Sequence, residues 1–387
     1  MKVTNIRGVI HMRTPDLNWL KDSRVFQVNR LQAYSDHIYT IGKDKQPSSF
    51  SLNGTWKFNV SKNYDSTFKF FYNTEFNDSN WDDIQVPGYI QLQGFDQPHY
   101  TDVTYPWDGK DYVKPGQVDM DRNKVFQYRK SFDLPQDFIN DRLILSFEGV
   151  ESNIYIWLNG KFIGYSEDSF TPSRFDITKY VQEKDNILCV RIFEKCTGTW
   201  LEDQDMWRFS GIFRDVMIYR QPSLHILDLK MDTNIDLDTK KSILTCTCKL
   251  TNGQAHTLQA KLYDPQGNIV WNGNMQDQFE IPVENTSLWS SEYPNLYQLE
   301  IVLYDANNEI IETIQEQVGF RKFTLEYGIM KLNGKRIVFH GINRHEWNAK
   351  TGRAITYEQM EEDIHMLKAL NINAVRTSHY PNNSYWY

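Results

Sequence analysis

Cysteine is scarce in this 387-residue chain: there are four, and none belongs to a Cys-x-x-Cys pair. Cys246 and Cys248 would share one face of a strand, a spacing that matches no zinc site, so reduced core thiols of a cytoplasmic protein are expected. Long apolar runs are missing as well. No stretch approaches about 18 apolar residues, which argues against a membrane-spanning helix. The opening Met-Lys-Val-Thr-Asn-Ile-Arg has no sustained apolar segment of the kind a secretion signal needs. Basic runs are also absent. The 42 Lys and Arg are interspersed with 50 Asp and Glu, for a net charge of -8, so neither nucleic acid nor membrane is an expected partner.

Aromatic residues are abundant instead: 11 Trp, 22 Tyr and 22 Phe, together 14% of the chain. With 13 Pro and 20 Gly they suit β-sandwiches. Such rings can stack on sugar faces, although strand packing is their commoner use. The length predicts two or three domains. Residues 1–50 are polar and irregular, with only 25–31 strand-like, and read as an extended arm lying on another domain or subunit. Ser51-Leu-Asn-Gly-Thr-Trp reads as a hairpin or a strand with an Asn-Gly turn signal. Residues 51–220 are a series of short strands, among them 126–132, 142–147, 186–193 and 213–219. Two apolar runs flank Asn159-Gly160, the strongest local hairpin signal. A jelly-roll β-sandwich is predicted there. The pattern restarts near Gln221-Pro222, and residues 221–320 have the size and alternation of an immunoglobulin-like sandwich. Nothing in that second region converges on chemistry, so it reads as a spacer.

Residues 321–387 change character. Residues 336–340 form a short apolar run, read as a buried strand. Thr356-Tyr-Glu-Gln359 is a capping box, and Met360, Ile364, Leu367 and Leu370 follow at helical spacing. Residues 372–376 read as a second strand, which makes a βαβ unit with parallel strands. Ligands gather at the carboxyl ends of parallel strands. Asn343-Arg-His345-Glu346 follows the first strand and Arg376-Thr-Ser-His379 ends the second, so two histidines and two arginines reach one edge.

A second loaded stretch lies in the first sandwich: Thr199-Trp-Leu-Glu-Asp-Gln-Asp-Met-Trp-Arg-Phe-Ser-Gly211. Glu202, Asp203, Gln204 and Asp205 stand between Trp200 and Trp207. Acids beside rings suit a sugar pocket, and carboxylate oxygens suit a hard cation. A solvated turn with its acids paired to Arg208 or Arg214 is the structural alternative. His99-Tyr-Thr-Asp-Val-Thr-Tyr-Pro-Trp107 has the same mixed polar and aromatic character.

Together these strings resemble the amino-terminal portion of the β-galactosidases of glycoside hydrolase family 2. The matches include Gly149-Val-Glu-Ser, Trp157-Leu-Asn-Gly, Leu201-Glu-Asp-Gln-Asp-Met-Trp-Arg-Phe-Ser-Gly, Gly341-Ile-Asn-Arg-His-Glu and Asn373-Ala-Val-Arg-Thr-Ser-His-Tyr-Pro-Asn382, in the family's order. The resemblance implies a jelly-roll sugar-binding domain, an immunoglobulin-like domain and the start of a (β/α)8 TIM barrel at 321–387. It implies hydrolysis of terminal β-D-galactose residues by retaining double displacement. His345 and His379 would bind galactose hydroxyls and stabilise the transition state, and Asp205 would contact the 6-hydroxyl and help hold a sodium ion. Arg376 would orient nearby carboxylates. Asp102 falls at a substrate-binding position where relatives have Asn. A magnesium ion is also implied, with most of its ligands beyond Tyr387, as are the two catalytic Glu. Glu346 is assigned a structural role, pairing with an arginine. The chain thus reads as a fragment, inactive alone, that forms an oligomer or is completed by another chain. The alternatives are a non-catalytic sugar-binding module and a β-glucuronidase or β-mannosidase relative. The Glu-Asp-Gln-Asp string speaks against the last.

Overall fold

The structure is a computed structural model that describes residues 14–105, 107, 112–202, 205–251 and 256–387. The chain is mainly β, built from two sandwiches and a short βαβ segment. In the first sandwich a seven-stranded antiparallel sheet faces a four-stranded one. Val125–Phe132, Asn153–Leu158 and Asn186–Phe193 lie in the larger sheet, and Arg142–Phe147 and Val216–Gln221 in the smaller. Trp56, Phe126, Ile156, Val190, Leu145 and Ile218 fill the space between them and are essentially inaccessible. The strands around Asn159-Gly160 pair as a hairpin, with φ of 51° and 76° at the two turn residues. Positive φ at both positions is what the tight hairpin turn demands.

The Asn-Gly at 53–54 behaves differently. Ser49–Ser51 belongs to the four-stranded sheet and Gly54–Ser61 to the seven-stranded sheet, so the chain crosses between layers there rather than turning as a hairpin. Asn53 fixes the crossing: its Oδ1 accepts from Val216 N at 3.0 Å and its Nδ2 donates to Asp215 at 2.8 Å.

The larger sheet is covered on its outer face too. Trp19 and Leu20, from the short helix Leu17–Lys21, pack with Phe71 and Trp81 on Tyr155, Trp157 and Tyr165. Every position of Asn153–Leu158 is therefore buried. The second sandwich keeps simple alternation, as in Lys241–Leu250, with Cys246 and Cys248 as buried free thiols. The segment before residue 50 supplies Tyr39–Ile41, which pairs with Ile310–Val318 at the edge of the second sandwich's six-stranded sheet.

In the last segment, Gly341–Arg344 and Ala374–Thr377 form a parallel pair in register Gly341 to Ala374. The buried strand expected at 336–340 is not there. Lys335–Arg336 ends a separate small sheet, and Val338 and Phe339 are more than half exposed. Asn373 holds residues 338–340 instead: it accepts from His340 N at 2.8 Å and donates to Val338 O at 2.9 Å. The ladder starts where Gly341 lies close to Ala374, since a Cβ there would sit 3.2 Å from the Ala374 carbonyl oxygen. Helix Tyr357–Ala369 has the expected capping box between Thr356 and Gln359. Met360 and Leu367 are buried, whereas Ile364 and Leu370 are 39% and 65% exposed, so half of the apolar stripe is uncovered.

Candidate sugar-binding site

One rim of the site is a two-stranded ribbon. Met206–Arg208 pairs antiparallel with His99–Thr101, placing Trp207 opposite Tyr100. Asp205 stands at the base of the ribbon in a left-handed turn, φ 53°. Its amide donates to Asp102 O at 2.9 Å, and Tyr100 OH donates to its Oδ1 at 2.9 Å. That hydroxyl, with Asp102 and the two histidines nearby, holds the Asp205 carboxyl below the usual carboxylate range. Asp203 and Gln204 lie outside the described residues.

The facing rim comes from the parallel strands. His345 and His379 follow them, their rings edge to face with centroids 5.3 Å apart. His379 Nε2 is 3.6 Å from Asp205 Oδ2. Partial burial, with the His379 imidazole and the Arg353 guanidinium nearby, pushes the His345 imidazole below its ordinary value. A cleft of about 580 Å³ is lined by Asp102, Val103, Leu201, Asp205 and His379. The structure thus brings Asp102, Asp205 and His379 to one cleft, with His345 beside His379. Arg376 is exposed at the end of its strand, where Nη1 donates to Ser378 Oγ at 3.2 Å. A cleft of similar size, about 590 Å³, opens beside the residue 36–39 segment. Two of its carboxylates have partners already: Asp36 pairs with Arg174 at 3.0 Å, and Asp215 accepts from Tyr357 OH at 2.7 Å.

Beneath the first cleft lies a floor of side chains that sequence reading did not single out. Tyr89, Phe170, Met206, Phe209, Phe213 and Tyr380 form one cluster joining the first sandwich to the last segment. Arg353 enters it and meets both Glu151 oxygens at 2.8 and 2.7 Å. The preceding Gly352 makes this entry possible. It has φ 64°, and a Cβ there would sit 3.1 Å from Leu92, Phe209 and Tyr89. A second buried pair joins Arg214 Nη2 to Glu346 Oε2 at 2.7 Å. Arg214 is therefore held by Glu346 and not by the acids of the 199–211 stretch. Glu202 accepts from Ser169 N at 3.0 Å and Ser169 Oγ at 2.6 Å. The available signals for these groups are a charged Glu151 inside an apolar strand run and the Gly-Arg step at 352–353.

Three family models tile the chain: the sugar-binding domain of glycosyl hydrolases family 2 at residues 50–222, the family 2 domain at 224–321 and the family 2 TIM barrel domain at 323–387. The chain is 49% identical over 385 residues to a β-galactosidase of Halalkalibacterium halodurans, covering 96% of this chain and 38% of that protein. It is 43% identical to the β-galactosidase large subunit of Leuconostoc lactis, covering 96% of this chain and 63% of that subunit. Among solved structures, a β-glucuronidase of Bacteroides uniformis superposes with TM-score 0.71 at 24% identity, over 87% of this chain and 40% of that one. A Ruminococcus gnavus β-glucuronidase does so with TM-score 0.71 at 22% identity, over 92% of this chain and 58% of that one. These structures speak for the fold. The chain belongs to glycoside hydrolase family 2, and it spans about two-fifths of the length of the H. halodurans relative.

Proposed function

We propose that this chain is the substrate-side portion of a β-galactosidase that cleaves terminal, non-reducing β-D-galactosides with retention. One observation carries the reading: a carboxylate from the sandwich, Asp205, meets His379 at 3.6 Å across a cleft. Asp205, held ionised, is a strong acceptor for a sugar hydroxyl such as the 6-hydroxyl. His345, held neutral, can both donate to and accept from hydroxyls, and with His379 it would stabilise charge developing at the sugar. Asp102 adds a second carboxylate to the cleft. Arg376, at the neighbouring strand end, would orient carboxylates arriving from outside the chain.

Retention needs two carboxyl groups about 5–5.5 Å apart. Glu346 lies beside the histidines but is committed to Arg214 and to the Asn383 amide at 2.9 Å. The nucleophile and the acid/base are therefore assigned to parts of the protein outside this chain. Asp205, with an ionised carboxylate, is the residue that would contribute an oxygen to a sodium ion, with the remaining donors supplied by the sugar, water or parts of the protein outside this chain. Magnesium does not fit here: among the described residues no group of three His, Cys, Asp or Glu is placed to hold a metal ion. An oligomer or a complementing chain is the expected partner, in line with relatives named as large subunits. No helix among the described residues is long and apolar enough to cross a membrane. A cytoplasmic location and lactose-type substrates belong to the same proposal.

The test is turnover of chromogenic glycosides. The full-length protein carrying this chain should hydrolyse a β-galactoside, and the 387-residue chain alone should not. Faster cleavage of a β-glucuronide by the full-length protein, or turnover by the isolated chain that Glu346→Ala abolishes, would overturn the reading.

A further inference from the structure

We propose that Arg353 is the positioning residue of the sugar pocket, holding the Asp205 loop and the His379 segment in register from beneath. This rests on the galactoside reading above and adds a determinant below the cleft. Arg353 is 1% exposed. Besides the two Glu151 oxygens, its Nη2 donates to Trp207 O at 3.0 Å and its Nε to Tyr89 OH at 3.1 Å. Glu151 alone would neutralise the charge. The bond to Trp207 O goes beyond neutralisation, and it lands on the strand that carries the pocket's acid.

The path to each wall is short. Trp207 lies two residues after Asp205 and pairs with Tyr100, whose hydroxyl donates to Asp205 Oδ1 at 2.9 Å. On the other side the guanidinium lies 5.5 Å from the ring centroid of Tyr380, the residue after His379. One planar fork thus bonds the strand that follows Asp205 and faces the ring that follows His379. A lysine at this position could still pair with Glu151, but a point charge on a flexible stem cannot span acid, carbonyl and phenol together.

The experiment uses the full-length enzyme with Arg353→Lys, measuring KM and kcat on a chromogenic β-galactoside, inhibition by galactose and the melting temperature. Loss of a charged hydrogen bond that orders the binding loop predicts that KM and the galactose inhibition constant rise about tenfold or more, with kcat changed less than about threefold. A control, Ile301→Ala in the second sandwich, should lower the melting temperature with KM within about twofold. If Arg353→Lys fails to fold, the neutral pair Arg353→Gln with Glu151→Gln reports the same KM rise. An active wild type whose KM does not move in the folded Arg353 variant, or moves as much in the Ile301 control, overturns this inference alone. A wild type without β-galactosidase activity overturns the sugar-site reading and this inference with it.

Discussion

The rim and the floor of the cleft each hold a carboxylate beside a nitrogen-bearing side chain, an imidazole at the rim and a guanidinium on the floor, in opposite environments. At the rim, the Asp205 and His379 side chains are 45% and 33% exposed and 3.6 Å apart. On the floor, Glu151 and Arg353 are 6% and 1% exposed and 2.7 Å apart, and Arg214 with Glu346 repeats the arrangement at 5% and 1%. Exposed pairs are screened and contribute little to stability, which leaves their atoms available to a ligand. Buried pairs are committed, because losing either partner strands a charge away from water. On the proposed reading, recognition falls to the wet rim and rigidity to the dry floor.

The largest expected effect is on the floor. Arg214→Met should leave Glu346 buried with the Asn383 amide as its remaining bond, costing about 3–5 kcal/mol in denaturant unfolding. A cost below about 1 kcal/mol would mean that the floor relaxes, and the contrast with the rim would collapse. The rim should respond in the opposite sense. Asp205→Ala in the full-length enzyme should raise KM for galactosides on the order of tenfold or more, and weaken its sodium dependence. Its melting temperature should change by about 2 °C or less. Equal losses in melting temperature and activity would assign Asp205 to the framework instead.

This division explains which parts of the molecule are legible in the sequence. Strands of the second sandwich show through because one face is wet, so Lys241–Leu250 alternates residue by residue. The Asn159-Gly160 turn and the Thr356 capping box are local devices, fixed by residues adjacent in sequence, and both are found as expected. The rim residues Asp205, His345 and His379 stand out as polar groups in aromatic or strand-end settings. On the floor, Glu346 pairs with an arginine as expected, but the other buried pair does not stand out. Arg353 and Glu151 are 202 residues apart, and nothing local marks them as partners. The misplaced strand at 336–340 has the same origin: its apolar pattern is local, but Asn373, more than 30 residues on, takes the backbone bonds that decide where the ladder begins.

Glu202 lies between the two zones, lining the sugar cleft on one side and a cleft beside Glu151 on the other. Burial pushes its carboxyl up to about 7 from an ordinary 4.5, with Glu151 and Asp168 adding to the shift against the Ser169 bonds. Cys196 also lies near, and Arg208 and Lys195 line the second cleft. The folded protein then keeps a proton that the unfolded chain has released, so stability falls as pH rises from about 4.5 to 7 and stays reduced above that. Glu202→Gln removes this titration and keeps one oxygen for Ser169. Relative to the wild type it should therefore gain on the order of 1 kcal/mol between pH 5 and pH 8, read from denaturant midpoints at the two pH values. A difference that stays constant with pH would place Glu202 with the rim, ionised and solvated, and the boundary between wet and dry would move one residue row deeper into the cleft.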